Sequence, residues 1–313
     1  MKKILMNGVD GNLGSKAAAA LLEKWPHEDL IFTASTKSGA EKYNDTGVET
    51  RVADFNDEEG LVDVFRGADT MVLVSMPFVG PKRRAAQKRA LDAAVKAGVK
   101  RLVYTSVVGA GEDDIDAYEV NDHVWFEAYI KEQPIHYVIL RDSQYAEAMV
   151  SSYINAYENT DSILANNMGD GLMAFVSRDD CALACACAAM SDLEDCILNI
   201  NGAEPMTIAK YISIANEVTG HNVKYVEISD EEQYAFFDSI GVPRTTEDMW
   251  AQTASNFPFC SDGMVSFGRA IRKGQMSVFT DDFEKLTGRK PLSVKEIFTD
   301  MENHTIGSRV STD

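Results

Sequence analysis

The chain has 313 residues, 45% of them hydrophobic and 25% charged, which is enough to bury a core as one large domain or a domain with a grafted lobe. Its 30 Lys and Arg against 49 Asp and Glu leave a net charge of −19, which repels phosphate backbones and argues against nucleic acid as a partner. No stretch reaches about 18 uninterrupted apolar residues, so no membrane span is expected. The apolar opening Ile4-Leu5-Met6 breaks at Asn7-Gly8, too soon for a signal peptide, and the expected location is the cytoplasm.

The first predicted strand, Ile4 to Met6, runs into Gly8-x-x-Gly11-x-x-Gly14 and then into a predicted helix, Asn12 to Lys24, rich in alanine. Glycines at this spacing let the chain turn sharply, admit a pyrophosphate without a Cβ in the way, and seat the helix close to the sheet. The helix then points its free N–H groups and positive end at the phosphates. Gly8, Asp10, Gly11, Asn12, Leu13 and Gly14 are therefore the candidate contacts of a dinucleotide.

Further strands are expected at Leu30 to Ala34, Glu49 to Val52, Thr70 to Ser75, Arg101 to Thr105 and His136 to Leu140. The intervening helices are expected near Ala40 to Asn44, Glu58 to Arg66, Pro81 to Ala97 and Asn121 to Glu132. Near-continuous apolar strands alternating with helices imply a doubly wound, Rossmann-like parallel sheet covered on both faces. Its ligand should lie across the carboxyl ends of the strands, where strand order reverses.

The loops that matter follow from that rule. After the second strand the chain reads Ser35-Thr36-Lys37 with no carboxylate before Glu41, which suits the 2′-phosphate of NADP better than the ribose diol of NAD. Asp54 and Phe55 after the third strand can flank an adenine, although Asp54 or Asp57 serves equally well as a helix N-cap. Ser75, Met76 and Pro77 after the fourth strand, and Thr105, Ser106 and Val107 at the end of the fifth, complete the candidate cofactor set. The basic run Lys82, Arg83, Arg84, Lys88 and Arg89 reads as a solvated helix face. The five cysteines lack a disulfide framework, and Cys181, Cys185 and Cys187, in a small apolar stretch, read as helix packing with no metal site.

Together, the glycine motif, Ala53-Asp54-Phe55, the stretch from Ala97 to Ser106, His123-x-x-x-Glu127, and Leu140-Arg141 followed by Tyr145-x-Glu147 resemble the NmrA-like branch of atypical short-chain dehydrogenases. The resemblance runs in order from Met1 to about Met190. It implies a Rossmann-like domain, expected over residues 1–155, and a smaller α/β substrate lobe over 156–313, with the chain crossing between the two. Strands around Ile197 to Asn201 and Val223 to Ile228 are expected to cap the sheet rather than extend it.

The chain also departs from the wider dehydrogenase pattern. A Tyr-x-x-x-Lys pair is absent; Tyr118 lies near the customary distance from Ser106, but four residues on stands Asp122, whose charge raises a phenol's pKa. Tyr118 and His123 are the candidate catalytic groups, with Glu127 one turn beyond His123 to orient it or to fix the neighbouring loop. Among the aromatics Phe78, Tyr118, Tyr145, Phe175, Trp250 and Phe257, the substrate contacts are expected at Phe78 and Tyr145, which follow strand ends. Hydride transfer to a quinone-like or conjugated aromatic acceptor requires less of the protein than alcohol chemistry, so the expectation is an NADPH-dependent reductase of small molecules, monomeric or homodimeric. A non-catalytic redox-sensing regulator and an isoflavone- or lignan-type reductase are the alternatives.

Overall fold

Short apolar strands alternate with helices through the first two thirds of the chain, and each strand returns parallel to the last. The computed structural model describes residues 2–76, 79–112, 114–245 and 259–306. Its strands are β1 (Ile4–Asn7), β2 (Leu30–Ala34), β3 (Glu49–Val52), β4 (Thr70–Leu73), β5 (Arg101–Val107), β6 (His136–Asp142), β7 (Ile163–Asn166), β8 (Cys196–Ile200) and β9 (Lys224–Glu227). The helices are α1 (Asn12–Lys24), α2 (Lys37–Glu41), α3 (Glu58–Phe65), α4 (Pro81–Ala97), α5 (Tyr118–Lys131), α6 (Ala146–Asn159), α7 (Arg178–Met190), α8 (Ile208–Thr219), α9 (Asp230–Ser239), α10 (Ser261–Arg272), α11 (Asp282–Thr287) and α12 (Val294–Thr299).

The main sheet runs β3-β2-β1-β4-β5-β6-β8, all parallel, so strand order reverses at β1, where Ile4 pairs with Leu30 on one side and Thr70 on the other. Period-two alternation divides the strand residues between two cores. Ile4, Met6, Phe32 and Leu140 pack under α1 and α7, while Leu5, Ile31, Leu73 and Tyr104 pack under α3, α4 and α5. Helices α1 and α7 meet through small side chains, Ala17 and Ala18 against Cys181, Ala182 and Cys185, all buried, and the close approach brings both helix N-termini to the same end of the sheet.

β8 corrects one expectation. It extends the sheet, pairing Val138↔Cys196 through Asp142↔Ile200, so residues 178–200 return to the Rossmann layers after the chain has left them. The segment is apolar on both sides of its pleat and α7 supplies the covered crossover that a parallel strand needs. Strand β9 does stand apart, pairing with β7 in a separate two-stranded sheet. The lobe core joins Tyr153 of α6, Tyr211 of α8 and Phe298 of α12 in edge-to-face contacts, with ring centroids 5.2 Å apart for Tyr153–Phe298 and 5.4 Å for Tyr211–Phe298.

Local boundaries shift for identifiable reasons. β5 and β6 run two residues beyond their apolar stretches because Ser106↔Arg141 and Val107↔Asp142 still pair. α2 occupies Lys37–Glu41 rather than Ala40–Asn44, since the Thr36 side chain accepts from the Gly39 N–H and starts the helix early. Among the described residues no helix is long and apolar enough to cross a membrane.

Candidate functional site

At the reversal point the Asn7 side chain accepts the Val74 N–H at 2.6 Å, tying the ends of β1 and β4 together. The chain then turns at Gly8, whose φ of +66° is the left-handed conformation that glycine takes without strain. Gly14 is required by space: a Cβ there would stand 2.0 Å from the Gly8 carbonyl oxygen. Helix α1 starts at the exposed Gly11 with no side-chain cap and no acid in its first turn, which leaves the amides of Asn12 and Leu13 as open donors at its positive end. An uncapped helix start of this kind fits a pyrophosphate, and the Asn12 side chain beside it donates to the Ile306 carbonyl at 3.1 Å.

The next loop is tied to the first. Asp10 Oδ2 accepts from the Ser35 N–H at 3.0 Å and from the Ser35 hydroxyl at 2.6 Å, while Thr36 caps α2. Of the three residues expected at a 2′-phosphate, Ser35 and Thr36 have their hydroxyls hydrogen-bonded within the protein, while the Lys37 side chain is 86% exposed and 3.8 Å from Glu41. After β3, Asp54 accepts from the Asn56 N–H at 2.8 Å and Asp57 caps α3. The Phe55 ring lies edge-on to Phe65 inside the core under α3 and α4, so it does not flank an adenine: the strand end turns it inward.

The β4–α4 loop hangs from side chains. Thr105 accepts the Ser75 N–H at 2.8 Å and Gln87 the Met76 N–H at 3.2 Å, so those two amides are engaged by protein. Pro77, Phe78, Trp250 and Phe257 lie outside the described residues, and Phe175 is buried in the lobe core.

Between the sheet and α4–α5 lies a buried polar layer that the sequence reading divided differently. His123 is 3% exposed; its Nδ1 meets the Tyr104 hydroxyl at 2.8 Å and its Nε2 meets Arg83 at 2.6 Å. Burial, reinforced by the Arg83 charge, holds His123 well below its usual pKa, so it is neutral and shut away from the cleft, which contradicts a proton-donor role. Glu127 does not orient it. Instead Glu127 accepts from Ser106 at 2.7 Å and takes both Nε and Nη2 of Arg141, at 3.0 and 2.6 Å. Arg83, expected on a solvated face, is 1% exposed because α4 turns its second basic residue inward while Lys82 stays exposed. Its neighbour Arg84 pairs with Asp122, which also accepts the Gly80 N–H at 2.6 Å, so that carboxylate answers α4 rather than Tyr118. Tyr118 opens α5, 36% exposed, its amide donating to the Ser266 hydroxyl.

Tyr145 follows β6 on the opposite face of the sheet. It packs against the core that contains Val9 and Leu13 of the glycine loop, and its hydroxyl donates to Asp142 at 3.1 Å. Asp142 is a carboxylate that pattern reading passed over, because one acid at the end of an apolar strand carries no periodic signal. Burial pushes its pKa up to about 7, against smaller opposing effects of the Tyr145 and Cys181 hydrogen bonds.

The sequence model of the NAD(P)H-binding family matches residues 8–191. Quinone oxidoreductase 2 of Escherichia coli (strain K12) is 27% identical over 252 residues, covering 80% of this chain and 86% of that protein. The crystal structure of Citrobacter sp. triphenylmethane reductase complexed with NADP(H) superimposes with a TM-score of 0.80 at 27% identity, covering 96% of this chain and 99% of that one. An Escherichia coli NADPH-dependent quinone oxidoreductase complexed with NADPH shares the fold at a TM-score of 0.85 and 24% identity over 96% of this chain and 99% of its own. The chain belongs to the NAD(P)H-binding family, as an NmrA-like atypical short-chain dehydrogenase/reductase.

Proposed function

We propose that the protein is an NAD(P)H-dependent reductase, preferring NADPH, that transfers hydride to a quinone-like or conjugated aromatic small molecule. The uncapped glycine cradle at Gly8–Gly14, set at the point where strand order reverses, carries this reading. The cradle residues Gly8, Gly11, Asn12, Leu13 and Gly14 would hold the pyrophosphate, Lys37 the 2′-phosphate, and the ends of β4, β5 and β6 the nicotinamide. The names of the relatives at 27% identity, a quinone oxidoreductase and a dye reductase, agree with an acceptor whose own electronics draw the hydride.

Calorimetric titration with NADPH and NADH, followed by a panel of quinones read through loss of dihydronicotinamide absorbance, tests the proposal. The expected result is saturable NADPH binding, abolished in Gly11→Val, and turnover of at least one quinone. No heat with either coenzyme from folded protein refutes it.

A further inference from the structure

Reduction of a quinone to its hydroquinone consumes one hydride and one proton, and neither His123 nor Glu127 is placed to give that proton. His123 is neutral and enclosed, and Glu127 is held by Ser106 and Arg141. On the other face of the sheet stands a pair built for proton exchange. The Asp142 carboxyl is 2% exposed at the carboxyl end of β6, with Oδ2 bonded to the Tyr145 hydroxyl and Oδ1 without a hydrogen-bond partner among the described residues.

Tyr145 is partly exposed and packs against the core that contains Val9 and Leu13 of the glycine loop, while its hydroxyl turns inward to Asp142 and is pushed up in pKa by burial. The titratable and charged groups around the pair are few. Cys181 and Cys185 approach from α7, both with thiols pushed up by burial; the Arg178 guanidinium lies 5.3 Å from the Tyr145 ring centroid. Glu147 of α6 is turned to the Arg178 N–H at 2.8 Å. No cation is hydrogen-bonded to the Asp142 carboxyl among the described residues, and the Tyr145 and Cys181 hydrogen bonds that favour its ionised form are outweighed by burial.

We propose that Tyr145 hands the acceptor oxygen its proton and is reprotonated by Asp142, which acts as the buried reservoir. This rests on the reductase reading. Bound coenzyme supplies the hydride and is oxidised; the quinone is reduced. As the hydride arrives, the Tyr145 O–H rotates from Asp142 to the acceptor; the new acceptor O–H bond forms with the proton leaving Tyr145, and the Tyr145 oxygen, now an acceptor toward Asp142, takes the carboxyl proton of Asp142. The resulting carboxylate regains a proton from solvent before the next turnover. Tyr145 is the catalytic residue and Asp142 a positioning residue that acts through it.

Acceptors that differ in proton demand separate this step from hydride transfer. A cationic triphenylmethane dye takes a hydride on carbon to give a neutral product and needs no proton. For Asp142→Asn and Tyr145→Phe, the ratio of quinone to dye turnover should fall about a hundredfold, in the range of general acid catalysis. In the coenzyme-free protein, carbon-13 NMR of labelled aspartates should show one carboxyl titrating near neutral pH that vanishes in Asp142→Asn. An unchanged ratio, or the absence of that titration, overturns the proton assignment. Wild-type protein that turns over neither acceptor refutes the reductase reading itself, while the carboxyl titration still reports on the pair.

Discussion

Asp142→Asn should stabilise the protein, and increasingly so as pH rises. The carboxyl titrates at 3.8 in an unfolded chain and at about 7 when folded, because burial disfavours its charged form. Below both values the two states hold the same proton and the group is neutral in its effect. As pH rises past 3.8 the unfolded chain sheds the proton first, so stability declines until the folded value is passed. The full deficit above neutrality is about 4 kcal/mol, at about 1.4 kcal/mol per pH unit. Asparagine keeps an acceptor for the Tyr145 hydroxyl and carries no charge to desolvate. Between pH 5 and pH 8 its advantage over the wild type should therefore grow by about 2.5 kcal/mol. Urea denaturation of both proteins at matched ionic strength, at intervals across that range, measures the difference. A constant offset across the range would refute the assignment of a proton to Asp142.

Gly14→Ala should destabilise the fold by about 3 kcal/mol or more and eliminate coenzyme binding, since its Cβ meets the Gly8 carbonyl at 2.0 Å, backbone against backbone; thermal melting and calorimetry read the two effects. Lys37→Ala should raise the Kd for NADPH by about tenfold and leave that for NADH unchanged, the loss of one charge-assisted contact to a 2′-phosphate; equal weakening of both would remove Lys37 from that role. His304, 4% exposed with Glu147 at 3.6 Å and Asp179 at 3.8 Å, has its pKa raised first by Glu147. Its folded value lies above 6.5, so its contribution is complete below that pH and is lost as pH rises through the folded value. His304→Gln should accordingly lower the melting temperature more at pH 5.5 than at pH 9, and the opposite trend would exclude a protonated His304.

The sequence alone contained the alternation of strands and helices, because the central strands β1, β2 and β4 are buried along their whole length and read as apolar runs, and the helices between them declare their own period. α1, α4, β2 and β3 fall where their patterns place them. It also contained the glycine loop, since turning, close approach and helix seating are local demands met by local residues. What lay beyond it were the encounters between distant segments. That Asp10 would hold Ser35 depends on the parallel pairing of β1 with β2, and that Arg83 would be buried against His123 and Glu127 would turn to Ser106 and Arg141 depends on how α4 and α5 lie on the sheet. β8 joined β6 rather than the lobe because an exposed parallel edge and a small-residue helix, α7, were available to it only in the folded chain. Asp142 shows the division most clearly. Its identity is one letter at a strand end, whereas the raised pKa comes from the water excluded when α7 closes over β6, and only packing brings that about.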